Sequence, residues 1–553
     1  MIRPRLLAPV AVLGALLALV GCANIPTSGD VSKVTIDSNA GDSALATLPD
    51  EPVKGANQEE ILAGFIRAGR SSLANYQVAR DFLTDDFRAK WNPNAGALIS
   101  SSPIDPAVVA PNVLQIAITV SATIDADARY SVADDSHTQP LQFHFAKDSN
   151  GQWRISSAPD GTILTPNRFA TVFRSYDLYF FDPSFEYLVP DRRWFADKTQ
   201  VATRIVRALL GGPPDWLQGA VVTAFPTGTE LTGAPQIDPG RATVDLTSQV
   251  SSESAASKRR MTQQLTQSLS SLGSPTVTIT VGGFPVTVAD GPDPDHLETV
   301  LSDPVGFERG VFGTLVNGTV RPLPGLGTAI DKLAPIGAAL GRNGDQAAVL
   351  SGEGVSIVRG SSPAVLLDRR AGLAVPTIDP EGFVWSVPNE KPGAIIAYDG
   401  QNKPHSVAFS LDGQVNSMSL SRDGTRMLMA VETSSGPKLL LAGVIRNRDL
   451  VPTSLGPPIF LPIGGSPLLG ASWVSSSTVV ALSQDTAAAV VTTYDLGGLR
   501  TSLGSIQGGV AVVGGNSSEG IRVLDSSGSV FEPSGSFGWQ DTGLNASFLA
   551  SQQ

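Results

Sequence analysis

From about residue 305 to the end of the chain one unit recurs, a two-residue turn followed by a short apolar strand. Asn343-Gly344 precedes Ala347–Leu350, Glu381-Gly382 precedes Phe383–Val387, and Asp423-Gly424 precedes Met427–Val431. Ser476-Ser477 then precedes Val479–Leu482, and Glu519-Gly520 precedes Ile521–Leu524. The second turn residues, 344, 382, 424, 477 and 520, are spaced by 38, 42, 53 and 43. A four-stranded propeller blade takes about 40–50 residues. At that length the segment 305–553 holds five or six blades and predicts an all-β propeller. Ring closure leaves only short strand edges, which protects a β-rich chain from edge-to-edge association. A pair of β-sandwiches is the alternative use of the same strands.

Upstream, two segments mix helices with strands. In 58–165, Ile61, Leu62, Phe65 and Ile66 sit at helical spacing. Val78, Phe82, Leu83 and Phe87 predict a second helix that stops before Trp91-Asn92-Pro93. Strands follow at Val113 to Val120, Leu141 to Phe145 and Gln152 to Ile155. Helices followed by a curved antiparallel sheet look like a small α+β cone of the NTF2-like kind. Such a cone can hold a pocket, or its aromatics can simply fill the core.

In 170–300, a strand at Asp177 to Asp182 precedes Phe185-Glu-Tyr-Leu-Val-Pro. Val201, Ile205 and Leu209 stripe a helix that Gly211-Gly212-Pro213-Pro214 stops, with glycines at its end and prolines beyond. Val221–Phe225 and Ala242–Leu246 are strand candidates. Met261, Leu265, Leu269 and Leu272 stripe a second helix ended by Gly273, and Thr276 to Val281 alternates as a final strand. The order of Tyr179-Phe180-Phe181-Asp182, Leu188-Val189-Pro190, Ala208 to Pro213 and the paired strands resembles the GerMN domain of bacterial sporulation and germination proteins.

The first 22 residues concern address rather than fold. Arg3 and Arg5 give a positive start, and Leu6 to Val20 is uncharged and almost wholly apolar. Fifteen such residues are too few for a hydrocarbon core that needs about 20. A small residue, Gly21, then precedes Cys22, as at the end of a secretory signal. Leu19-Val20-Gly21-Cys22 resembles the lipobox of bacterial lipoproteins. There the thiol takes a diacylglyceryl group, cleavage leaves the cysteine first, and its amine is acylated. Cys22 is the only cysteine, so intramolecular disulfides are excluded. Two or more acyl chains anchor stably. The reading is a signal peptide at 1–21 and a lipidated tether at 22–57, which places the chain on the extracytoplasmic face of the cell membrane. Later segments lack a run of 18 apolar residues, so no membrane-spanning helix is expected.

The formal charge of −12 becomes −14 once Arg3 and Arg5 are removed. With no basic tract, nucleic acid is not an expected partner. His137, His144, His296 and His405 are scattered without metal-ligand spacing. Asp290, Asp293 and Asp295 lack the glycine and distal glutamate of a calcium loop and fit a solvated linker better. Gly325-Leu-Gly-Thr is a lone glycine pair. Nucleophile-elbow and phosphate-loop motifs are missing. No catalytic, cofactor or metal site is expected, and Cys22 is the one residue given a role.

The order of the parts looks like the LpqB family of actinobacterial lipoproteins. Cys22-Ala-Asn-Ile-Pro-Thr-Ser-Gly, Phe180-Phe-Asp-Pro and Ser421-Arg-Asp-Gly-Thr-Arg carry the match, which runs nearly the full length. The resemblance implies an accessory of the MtrAB two-component system. Such a protein contacts the extracytoplasmic part of the sensor histidine kinase, with effects on cell-envelope homeostasis and division. Two other classes stay open, a protein that binds cell-wall glycan or a small ligand and a propeller hydrolase.

Overall fold

The computed structural model describes residues 49–553, except 73–74, 197–199, 274–275, 295–298, 464–466, 536 and 553, and only the backbone of 134–137. The signal segment, Cys22 and most of the expected tether lie outside the described residues, as do Asp295 and His296.

Helix Gln58–Ala68 opens the described fold. Asn57 caps it: its side chain accepts the Glu60 N–H at 2.9 Å, and the Glu60 carboxylate accepts the Asn57 N–H at 2.8 Å. Ile61, Leu62, Phe65 and Ile66 are buried, as their spacing predicts. The second expected helix is broken into Gln77–Asp81 and Asp85–Arg88. Between them Leu83 forms a parallel bridge with Ile155. The Ile155 N–H donates to Phe82 O and the Thr84 N–H donates to Ile155 O, both at 2.9 Å. An unpaired strand edge thus takes backbone groups that a continuous helix would have used internally.

The sheet runs in the order Trp153–Ser157, Tyr130–Lys147, Val113–Ile124, Ala97–Ser100, Thr162–Leu164, with Pro106–Ala110 also paired to Val113–Ile124. Alternate residues of Val113–Ile124 turn to the core. Phe65, Trp91 and Phe143 pack in the core against the sheet, with the Phe65 and Trp91 rings 5.0 Å apart. The space left there is about 20 Å³, near the volume one water occupies.

The middle segment starts with the hairpin Phe173–Phe181 and Leu188–Ala196. Helices Val201–Leu210 and Ala255–Leu269 pack with it, and Arg241–Leu246 pairs in parallel with Val277–Val281. Gly212 leaves the first helix at φ 89°, a conformation open to glycine at little cost. The expected strand at Val221–Phe225 is absent. That stretch makes two isolated bridges, Phe181 with Val222 and Gln218 with Val221. Side chains take its next amides, since Gln264 accepts the Ala224 N–H at 2.9 Å and Thr223 Oγ1 accepts the Phe225 N–H at 3.3 Å.

All five recurring turns of the C-terminal segment occupy one place, between the first and second strands of successive antiparallel sheets. They precede Gln346–Ser351, Val384–Ser386, Arg426–Thr433, Thr478–Gln484 and Arg522–Asp525. An equivalent turn at Arg309-Gly310, both at positive φ, joins Val305–Glu308 to Val311–Val316. The last strand, Phe548–Gln552, lies antiparallel to Val305–Glu308, with Val305 opposite Ala550, and parallel to Gly337–Leu340. The two ends of the segment are thereby joined. One apolar core crosses from the middle segment into these sheets. Leu178, Phe180, Leu209 and Leu217 share it with Leu428, Leu441, Trp473 and Tyr494.

Candidate functional site

The middle segment meets the C-terminal sheets through the loop 182–187 and the strand after it. Asp182 shapes the loop: one carboxylate oxygen accepts the Tyr187 N–H at 2.6 Å, the other the Ser184 N–H at 2.7 Å. This sends Phe185 to φ 65°, and Arg260 lies 3.8 Å from the centre of its ring. Four of the five recurring turns then face this region. Arg342, beside Asn343-Gly344, donates to the Tyr187 hydroxyl and lies 4.9 Å from its ring centre. The charges of Glu381 and Asp423 interact with that of Asp182. Ser477 Oγ accepts from Arg192 at 3.1 Å.

Below the loop lies a buried cluster of opposite charges. Arg446 donates to Asp379 at 2.6 Å and stands 3.3 Å from Glu381. Asp379 also accepts the Phe383 N–H at 2.7 Å and the Trp385 indole N–H at 3.0 Å. Arg426 pairs with Asp423, whose carboxylate also accepts from Ser421 and Thr425. Burial pushes the Glu381 carboxyl up to about 7; Arg446 opposes the shift and Asp379 and Asp182 add to it. Burial likewise raises Asp182. For Asp423 burial acts upward, but Arg426 and the hydrogen bonds of Ser421 and Thr425 hold it below its ordinary value.

A carboxyl near 7 beside other carboxyls is the equipment of acid–base chemistry. Asp182 and Asp423 are buried, at 1% and 3% exposed, while the Glu381 side chain keeps 19% exposure. The ion pairs of the cluster lie within the C-terminal segment; the two segments are joined by the shared apolar core, by Arg192 to Asp495 and Ser477, by the Trp194 indole to Gly497 O and by Arg342 to the Tyr187 hydroxyl.

The histidines and aspartates considered from sequence do not converge. His144 is exposed on the N-terminal sheet, and the side chain of His137 is outside the described residues. His405 bonds to Asp399 at 2.9 Å. The Asp290 carbonyl accepts from Arg259 at 3.0 Å and the Asp293 carboxylate from Gln263 at 2.9 Å. The linker there is held to helix Ala255–Leu269 while Asp290 and Asp293 stay exposed to solvent. Gly325-Leu-Gly-Thr leads into the short helix Gly327–Asp331. Among the described residues no group of three or more His, Cys, Asp or Glu is placed to hold a metal. Glu381 and Asp423 stood in the recurring turns, and the motifs Ser421-Arg-Asp-Gly-Thr-Arg and Phe180-Phe-Asp-Pro held Ser421, Asp423, Thr425, Arg426 and Asp182. Arg192 and Arg446 gave no signal.

Three family models match in sequence order. The one described as Lipoprotein LpqB, N-terminal domain, covers 51–170. The one described as Sporulation and spore germination covers 177–287, and the one described as Lipoprotein LpqB beta-propeller domain covers 310–545. A Lipoprotein LpqB of Cutibacterium acnes is 28% identical over 293 residues, 52% of this chain and 48% of that relative. One of Streptomyces coelicolor is 27% identical over 505 residues, 80% of each chain. One of Mycobacterium tuberculosis is 28% identical over 532 residues, 86% of each. Among solved structures, the tandem GerMN domains of the sporulation protein GerM from Bacillus subtilis are 20% identical, with 22% of this chain and 48% of that one covered and a TM-score of 0.18. Among the described residues no helix is long and apolar enough to cross a membrane. With these matches laid end to end over a GerMN-like segment and a propeller segment, the chain belongs to the LpqB family of actinobacterial lipoproteins.

Proposed function

We propose that this chain is a membrane-anchored extracytoplasmic lipoprotein that regulates a two-component sensor kinase of the MtrAB type by contact, in cell-envelope homeostasis and division. Cys22 carries the lipid after loss of residues 1–21, and 22–57 is the tether. The folded part then divides into an NTF2-like cone at 58–165, a GerMN-like domain at 170–300 and a propeller at 305–553. Six four-stranded blades follow from the five recurring turns plus Arg309-Gly310, with Phe548–Gln552 completing the blade of Val305–Glu308.

The observation that carries the contact reading is the joint itself. A shared core, the Arg192 contacts to Asp495 and Ser477 and the Trp194 hydrogen bond to Gly497 O fix the GerMN-like segment on the propeller segment, so that they move as one body. A rigid body on a lipid anchor gains effective concentration toward a partner in the same membrane and presents a constant surface to it. The near-filled cone weighs against an internal ligand there, and the burial of Asp182 and Asp423 weighs against a hydrolase centred on them.

Crosslinking in cells tests this, with Cys22→Ala as the unanchored control and bound proteins identified by mass spectrometry. Recovery of a sensor-kinase ectodomain with the native chain, reduced with Cys22→Ala, is the expected outcome. Recovery of wall fragments without a kinase would move the function to glycan binding.

A further inference from the structure

A cleft of about 530 Å³ opens where the hairpin tip 125–129 of the N-terminal sheet meets helix Val201–Leu210 and strand Leu188–Ala196. Arg129, Arg193, Arg204 and Arg207 line it, against Asp127 and Asp215. Asp191 stands behind the cleft, paired to Arg193 and near enough to act on Arg129, so the positive charge left facing the opening is that of Arg129 and Arg207.

The four arginines have different duties. Arg193 is structural: it pairs with Asp191 at 2.7 Å and reaches the carbonyls of Asp127 and Gly212, both at 3.4 Å, tying the hairpin tip to the helix end. Arg204 lies 5.4 Å from the centre of the Phe195 ring and donates to Ala196 O at 2.9 Å. Arg129 is less committed. Its Nε is buried without a hydrogen-bond partner, and its ion pair to Asp127 is 3.4 Å long, to a carboxylate whose side chain is 64% exposed. Arg207 is exposed on the helix, one turn from Arg204 and on the same side.

A helix C-terminus ordinarily repels anions. Here the Gly211 N–H covers Arg207 O at 3.0 Å, the Gly212 N–H covers Leu209 O at 3.1 Å, and Arg193 covers Gly212 O. Arg207, in the last turn of the helix, opposes the negative field that remains. Planar guanidinium groups bind oxyanions through paired N–H donors, and a volume of this size suits a small organic ligand.

We propose that this cleft binds a phosphate-bearing ligand, with Arg129 and Arg207 donating to its oxygens, Arg193 holding the floor and Phe195 forming a wall. The ligand's phosphate belongs either to a free phosphate ester or to an anionic lipid headgroup. The site is independent of the kinase reading.

The test is titration calorimetry of the full chain at low salt with two probes, inorganic phosphate and glycerophosphoglycerol, the latter a phospholipid headgroup without acyl chains. Binding of at least one probe is expected, weakened at least tenfold in Arg129→Gln/Arg207→Gln and unchanged in Arg321→Gln, an exposed arginine of strand Thr319–Pro322. Tighter binding of glycerophosphoglycerol identifies a headgroup as the source, and tighter binding of phosphate a free ester. Arg207→Gln alone, on an exposed face, serves if the double variant misfolds and should weaken binding severalfold. No binding of either probe, or equal binding by the variants, overturns the proposal.

Discussion

Arg192 joins Asp177 of its own hairpin to Asp495 of the propeller segment. Its Nε lies 2.7 Å from Asp177, its Nη1 donates to Asp495, and its Nη2 reaches Ser477 at 3.1 Å. Two residues on, the Trp194 indole N–H donates to Gly497 O at 2.7 Å. Burial works to lower the Arg192 pKa, but the two aspartates outweigh it and hold the guanidinium charged. Burial raises the Asp495 carboxyl, and Arg192 is the main opposing influence.

Removing Arg192 should therefore be costly. Arg192→Met leaves two partly buried carboxylates without their partner, a loss of roughly 3–5 kcal/mol for a pair of this kind. Equilibrium denaturation should show the drop, and Asp495→Asn added to Arg192→Met should recover part of it. Additive effects of the two substitutions would mean that the pair does not couple the segments.

Glu381 gives the stability a pH dependence. Its carboxyl titrates near 7 in the folded chain against an ordinary 4.5. Folded chains thus keep a proton that unfolded chains release, and stability falls as pH rises between those values. The expected difference is on the order of 2–3 kcal/mol in favour of pH 5 over pH 8. Asp182, also raised by burial, adds with the same sign. Asp423, held low, loses its contribution only at pH below the ordinary carboxylate range. Denaturation at both pH values should show the slope, and Glu381→Gln should flatten it. A slope untouched by Glu381→Gln would place the titrating group elsewhere.

Gly443 lies at the apolar seam. A Cβ there would sit 2.7 Å from both the Ala220 methyl and the Trp216 carbonyl oxygen. Gly443→Val should cost roughly 1–3 kcal/mol through overpacking. It should also speed amide exchange at Val222, whose N–H donates to Phe181 O at 2.7 Å. Unchanged exchange at Val222 would show that the seam accommodates the added side chain.

Ring closure can be attacked at Ala550, which is buried and opposite Val305 in a strand paired on both sides. Ala550→Pro removes a backbone donor and bars close pairing there, for roughly 1–3 kcal/mol. Its melting point should fall and proteolysis near 305–308 should accelerate. A cleavage pattern like that of the native chain would mean that the last strand is not the closure.

The parts legible in sequence were those set by local patterns. The stripes of Gln58–Ala68, Val201–Leu210 and Ala255–Leu269 mark their buried faces, and the recurring turns mark second strands at all five positions. Two expectations failed where distant groups took backbone bonds. Leu83 left its helix for the edge at Ile155, and Gln264 capped Ala224 in place of a strand partner. The turn Arg309-Gly310 was missed although it too leads into a short apolar strand, Val311–Val316.

The sequence alone determined what depends on spacing: turn positions, helix faces, and the single cysteine behind an apolar run. Only tertiary structure decided which charges would meet. Glu381 and Asp423 feel the charge of Asp182, about 200 residues earlier, and Arg192 found Asp495 across 303 positions. Charge burial depends on the field of everything packed around a group. Those neighbours come from several chain segments, so spacing along any one of them does not encode it.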